Sequence, residues 1–172
     1  MLRLRSIGAT SGIGRATALL LNKAGAEVIA VGRNTVHLAE LASEFADGGQ
    51  ALRADVGQSD RIAHLMADIA VQGRRLDGLV INAGVSEAPD LEHLDLAAYD
   101  RLMDVNVKGA VFTCARALPL LVEGASVVFV GSVAARKGQP GEVAEAIAFM
   151  LSSASRFTTG ADIAVEGGMS HV

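Results

Sequence analysis

The pattern that most constrains this chain is an alternation repeated along it: short apolar runs of strand length, then longer segments whose apolar residues recur at helical spacing. Such a pattern predicts successive βαβ units, and therefore a parallel sheet with helices packed on its faces. A first strand runs to about Ile7, and the loop GATSGIG leads into a helix from about Ile13 to Lys23, stopped by Gly25. The strand EVIAV comes next. Asn34 caps a second helix with Leu38, Leu41, Ala42 and Phe45 on one face, and Gly48 and Gly49 lead into the strand QALRAD.

Ile62, Leu65, Met66 and Ile69 form the buried stripe of a third helix ending near Gly73, and DGLVINAG supplies a fourth strand. A long helical region covers about Leu96 to Val122, where Pro119 bends it or ends it early. The strand ASVVFVG, a loop to Gly141, a helix from Glu142 to about Ser153 and a short strand in ADIAVEGG complete the pass. Arg3 and Arg5 sit awkwardly in a strand that should be central and buried on both faces, which leaves its true start open.

A chain of 172 residues with about half of them hydrophobic is long enough for one domain, 1–172, with a core that needs no disulfide or metal. The single cysteine, Cys114, lies in a predicted helix and reads as a buried structural thiol. A formal charge of −4, with the basic residues scattered, argues against nucleic acid or an anionic membrane as partner. No apolar run reaches the roughly 18 residues of a spanning helix, and MLRLRS lacks the apolar centre of a signal peptide, so the expected location is cytoplasmic.

Gly8, Gly12 and Gly14 stand between a strand and a helix, where glycines permit a tight turn, close approach of a pyrophosphate and close helix–strand packing. The helix start offers backbone amides to phosphate. An ordinary βα turn would have the same spacing. The form GxxxGxG, however, resembles the cofactor loop of the short-chain dehydrogenase/reductases, and further resemblances occur in order along the chain. RADV at 53–56 is similar to the family's adenine-contacting Asp-Val, INAG at 81–84 to its NNAG segment, and DVNVKG at 104–109 to its asparagine segment. VGSVA at 130–134 is similar to its active-site serine strand, and TTGADIAVEGG at 158–168 to its last strand.

The resemblance implies an α/β fold of Rossmann type, a doubly wound parallel sheet of about six strands in three α/β/α layers. It implies a dinucleotide held by Gly8, Thr10, Ser11, Gly12, Ile13 and Gly14, by Arg33 and Asn34, by Asp55 and Val56, and by Asn82, Ala83 and Gly84, with no metal. Where NAD sites place an acidic residue, about 20 residues beyond the glycine loop, this chain has VGRN. Arg33 would pair with a 2′-phosphate, which favours NADP over NAD, with Arg15 adding charge nearby. A solvated loop arginine is the alternative reading of Arg33.

Carbonyl–alcohol redox chemistry in the family uses a serine, an asparagine, a tyrosine and a lysine. Ser132 and Asn106 match the first two by motif; each also has a structural reading, as a strand-end turn residue and as a helix-bending polar residue. The tyrosine and lysine belong in a Tyr-x-x-x-Lys motif on the helix after the serine strand, and this chain has no such motif. Its only tyrosine, Tyr99, has Met103 four residues on; of its three lysines, Lys23 and Lys108 lie in other segments and Lys137 comes four residues after Val133.

KGQPG at 137–141 resembles the family loop that leads into the tyrosine helix, whereas PGEVAEAIAFMLSSASRFTTG resembles the family's tail. The two run together at Pro140–Gly141, as if one block near 138–142 had been deleted or left out. The expected function is thus an NADP-dependent oxidoreductase acting on a small carbonyl or alcohol, impaired or inactive as written. The alternatives are a non-catalytic dinucleotide-binding remnant or regulatory partner, and a damaged product with no evolved role. A homo-oligomer of unassigned state, and apolar surface exposed where the tyrosine helix would have packed, are further expectations.

Overall fold

The computed structural model describes residues 3–86, 90–131 and 140–165, the first five by their backbone alone. They form five parallel strands, β1 (Arg3–Ile7), β2 (Glu27–Gly32), β3 (Gly49–Arg53), β4 (Leu76–Ile81) and β5 (Leu121–Phe129), in the spatial order β3-β2-β1-β4-β5. Helices α1 (Gly12–Lys23), α2 (Thr35–Glu44), α3 (Ser59–Val71), α4 (Leu96–Met103), α5 (Ala110–Ala117) and α6 (Pro140–Met150) join or flank them. The strand order runs outward from β1 in both directions, which is the doubly wound Rossmann arrangement.

Helices cover both faces of the sheet because the strands are apolar on both. Val28 and Ala30 of β2 and Val80 of β4 pack with Ala18 and Leu21 of α1, Leu41 of α2 and Ile147 of α6. Ile29, Val31, Leu79 and Ile81 face the other way, onto Ile62, Leu65, Met66 and Ile69 of α3 and Ala117 of α5. The stripe read from the α3 sequence is fully buried; each such side chain contributes about 1.5–3 kcal/mol on leaving water. On α2, Leu38 and Leu41 are buried, but Ala42, expected on the same face, is exposed. The Asn34 carboxamide oxygen caps α2, accepting from the Val36 and His37 amides at 2.9 and 3.1 Å.

Two expectations need correction. The long helical region is not continuous. After α4 the segment Asp104–Gly109 widens into a π-helical stretch, and Pro119 sits in a 3-10 turn, Leu118–Leu120, that ends the helix. Because that end comes early, β5 starts at Leu121, four residues before the expected strand, and meets β4 through an irregular register between Leu76 and Gly78. Helix α6 is displaced toward the N-terminus. Pro140 occupies its first turn, where a missing N–H costs nothing, and Ser152 caps a separate 3-10 turn, Ser153–Ser155, that closes it.

Of the about six strands expected, five are found among the described residues; residues 161–165, the first part of the expected last strand, form none. The remainder of that segment lies outside the described residues, as do the side chains of Arg3 and Arg5. Cys114 is half-buried against the α3–α5 core rather than fully buried, and Tyr99 is 47% exposed on α4.

A buried polar clamp ties the first βαβ unit together. Asn22, at the end of α1, accepts from the Ala46 amide at 2.8 Å and donates to the carbonyls of Ala26 and Asp47 at 3.4 Å each. Replacing it leaves a shielded amide and carbonyl without partners. Asn22→Ala is expected to lower unfolding free energy by about 1–3 kcal/mol in urea titrations, whereas the exposed Asn34→Ala cap variant should lose about 1 kcal/mol.

Candidate dinucleotide site

The site is built at the carboxyl ends of β1–β4, where the strand order reverses between β1 and β4. Its foundation is the turn after β1. Gly8 adopts φ +81°, and its amide and that of Ala9 both donate to the Val31 carbonyl at 2.9 and 3.0 Å. A β-carbon on Gly8 would stand 2.6 Å from the Ala83 backbone, and one on Gly14 would stand 2.1 Å from the Gly8 carbonyl oxygen. Strand, helix and the turn after β4 therefore meet at distances that only glycine allows. The Asn82 carboxamide closes the junction by donating to the Gly8 carbonyl at 2.9 Å.

A cleft of about 170 Å³ opens above this junction. Of the residues expected to hold a dinucleotide, Gly8, Thr10, Ser11, Arg33, Asp55, Val56, Asn82, Ala83 and Gly84 line it. Gly12, Ile13, Gly14 and Asn34 do not, and neither does Asn106, which the family motif marks as catalytic. Gly12, at φ +52°, has open space where a side chain would project; the Ile13 side chain packs onto the α1–α2 core, and the Asn34 oxygen is committed to its cap. Ser132 and Lys137 lie outside the described residues.

Sequence reading missed Val31, Gly32, Ala54, Val85 and Val105 as lining residues. Each is small or apolar and adjoins a motif residue, so nothing in its own chemistry marks it. Gly32 carries the one available signal, a glycine at a strand end: a β-carbon there would strike the Thr10 methyl at 2.3 Å.

Three features set the site's electrostatics. The Ser11 side chain makes no capping bond at the start of α1, which leaves that helix end open to an anion. Arg33 is exposed at the cleft and has no ion pair among the described residues. The Asp55 carboxylate accepts from the Gly57 amide at 3.0 Å, which fixes its turn. Arg15, expected to add positive charge, is instead bound in an ion pair to Glu44 of α2.

Asn106 lies in the π-helical stretch and grips the far wall of the cleft. Its side-chain oxygen accepts from the Val85 amide and its NH₂ donates to the Val85 carbonyl, both at 2.8 Å. The widened helix makes this reach possible, and Gly109 lets it lie close to the turn after β3, where a β-carbon would be 2.6 Å from the Val56 carbonyl oxygen. Lys108 is paired with Asp104 at 2.9 Å. Among the described residues no three His, Cys, Asp or Glu side chains gather as a metal would require, and no helix is long and apolar enough to cross a membrane.

Comparison with known proteins gives a consistent likeness. The family described as short chain dehydrogenase matches residues 6–145, and that described as Enoyl-(Acyl carrier protein) reductase matches residues 132–170. The chain is 38% identical over 142 residues to a 3beta-hydroxysteroid dehydrogenase of Mediterraneibacter gnavus, covering 80% of this chain and 51% of that protein. It is 38% identical over 140 residues to Sulfoacetaldehyde reductase 2 of Chromohalobacter salexigens, covering 78% and 56%. The chain thus spans about half the length of these curated relatives.

A solved structure described as a short chain dehydrogenase/reductase family protein superposes with a TM-score of 0.87 at 26% identity, covering 99% of this chain and 98% of that one. A short-chain dehydrogenase/reductase from Brucella melitensis superposes with a TM-score of 0.86 over 92% of each chain; at 24% identity it shows the fold alone.

The Gly14 contact yields a prediction with opposed terms. Alanine favours a helix over glycine by about 1 kcal/mol, but overpacking against the Gly8 carbonyl costs about 1–3 kcal/mol or more. Gly14→Ala should therefore destabilise the chain in thermal melting, and a stabilised variant would show that the junction is not closed as described.

Proposed function

The chain belongs to the short-chain dehydrogenase/reductase family, and from that premise we propose that it binds NADP in the cleft between β1 and β4 and, lacking the family's tyrosine and lysine, turns over little or not at all. The carrying observation is Arg33: a cation on the cleft, without a carboxylate partner among the described residues, where a ribose 2′-phosphate would need one. The open start of α1 and the turn at Gly8 suit the pyrophosphate, Asp55 and Val56 suit the adenine end, and Asn82, Ala83 and Gly84 continue toward the reactive end.

A nicotinamide bound there would supply hydride exchange with a carbonyl or alcohol. The chain's own residues do the rest. The α1 amides bind phosphate, Arg33 selects the 2′-phosphate, and Asn106 holds Val85 so that the wall beside the reactive end stays fixed. We assign Ser132 to orienting a substrate oxygen, on its motif alone. No residue of the chain takes the place of the proton-donating tyrosine, since Tyr99 lies on α4, upstream of Asn106, and has Met103 rather than lysine at i+4.

Residues 1–172 then make up one domain, and the join near 138–142 marks the loss of a single block. The overlap of the two family matches between residues 132 and 145 supports this, because it puts the family's two halves against each other where KGQPG meets the tail. A binding role, rather than a catalytic one, is the second reading, and the lost tyrosine and lysine favour it.

Affinity and turnover separate the parts of the reading. NADPH should bind more tightly than NADH, and Arg33→Ala should remove about a tenfold or larger preference, as loss of a charge-assisted pair does. Equal affinities throughout would sink the NADP assignment. Absence of the general acid should lower turnover of carbonyls by about 10²–10⁴ relative to intact relatives, measured as NADPH oxidation; relative-like rates would show that another group fills the role.

A further inference from the structure

We infer that Arg53 is a second specificity-determining residue, which takes the ribose 2′-phosphate together with Arg33; this rests on the NADP reading above. Arg53 ends β3, and in the parallel pairing of β2 with β3 it lies directly across from Gly32, the residue before Arg33. Neighbouring strands stand about 4.8 Å apart. The Ala54 amide donates to the Gly32 carbonyl at 3.0 Å, so the pairing holds to the ends of both strands. Gly32 and Ala54 both line the cleft. Arg53, across from one and next to the other, stands at its rim.

The register fixes the face on which it stands. Successive residues of a strand alternate between faces, and partners on neighbouring strands share one. Val31 and Leu52 are partners, and both pack on the α3 side of the sheet. Gly32 and Arg53, the next pair, therefore belong to the opposite face, which α1 and α2 cover. On that face a β-carbon at Gly32 would meet Thr10 of the glycine-rich turn. Arg53 is thus on the side from which that turn and the segment Arg33–Asn34, leading into α2, approach the cleft.

Both arginines are exposed, and among the described residues neither has an ion pair. The nearby carboxylates are engaged or set apart: α2 has none in its first turn, Glu44 pairs with Arg15, and Asp55 accepts from the Gly57 amide. The Val36 and His37 amides at the start of α2 are already taken by Asn34, so an anion at this rim is left to the two guanidinium groups. Two like charges at adjoining strand ends repel each other, and a phosphate dianion between them replaces that repulsion with charge-assisted hydrogen bonds to both. An arginine that served only to guard the sheet edge against pairing would be indifferent to which nucleotide is bound.

Calorimetric titration of the wild-type chain, Arg53→Ala and Arg33→Ala with NADPH and with NADH tests this. Arg53→Ala should weaken NADPH binding by about three- to tenfold and leave NADH binding unchanged. A preference for NADPH that Arg33→Ala removes and Arg53→Ala leaves intact overturns the inference while the NADP reading stands. An equal loss for both nucleotides in Arg53→Ala also overturns it, since the residue would then act on the fold of the site rather than on the phosphate. No preference in the wild-type chain overturns the NADP reading and this inference with it. Should Arg53→Ala fail to fold, Arg53→Gln, which keeps most of the stem without the charge, is read in the same way.

Discussion

The structure depends on one close contact, that of α1 against the turn after β1. The Gly14 backbone lies so near the Gly8 carbonyl that a single added carbon would overlap it, and the same carbonyl accepts from Asn82 at the end of β4. This contact fixes the angle at which α1 leaves the sheet, aims the helix start at the cleft, and binds the two central strands at the point where the strand order reverses. That placement also seats α6 on α1, through Ala144, Ile147 and Leu151.

Much of this was legible because it rests on local rules. The strand EVIAV, the strand read in DGLVINAG, which runs from Leu76 and ends at Ile81, the stripe of α3 and the Asn34 cap each come from spacing or from one side chain, and all are found. Nine of the residues named for the dinucleotide also come together around one cleft. The features that were not legible depend on contacts distant in sequence. The π-helical stretch exists because Asn106 reaches Val85 and Gly109 approaches Val56, pairs that no periodicity reveals. Arg15 was read as free charge because Glu44, its partner, lies 29 residues away. The lining contributed by Val31, Ala54 and Val105 comes from apolar residues whose role is set by position alone.

The absence of the Tyr-x-x-x-Lys motif has a structural counterpart. The sheet's first four strands and all of the cleft lining but Val105 come from residues 3–86, well before Pro140, and Asn106 holds the cleft wall from the stretch between α4 and α5. Residues from Pro140 onward supply α6, which covers the opposite face. The proposed loss of one block near 138–142 would therefore remove chemistry without removing the cleft. Apolar side chains lie exposed on α5 and on the turns at its two ends, among them Val107, Val111, Phe112 and Leu118, as the proposed loss of a helix packed there would leave them.

The central claim is that the cleft still binds a dinucleotide although the catalytic pair is gone. Calorimetric titration of the purified chain with NADPH tests it most directly. The expected result is one saturable site per chain, with thermal stability rising as the site fills, because a ligand that binds only the folded state stabilises it. No heat of binding and no shift in melting temperature, from a chain shown to be folded, would contradict it.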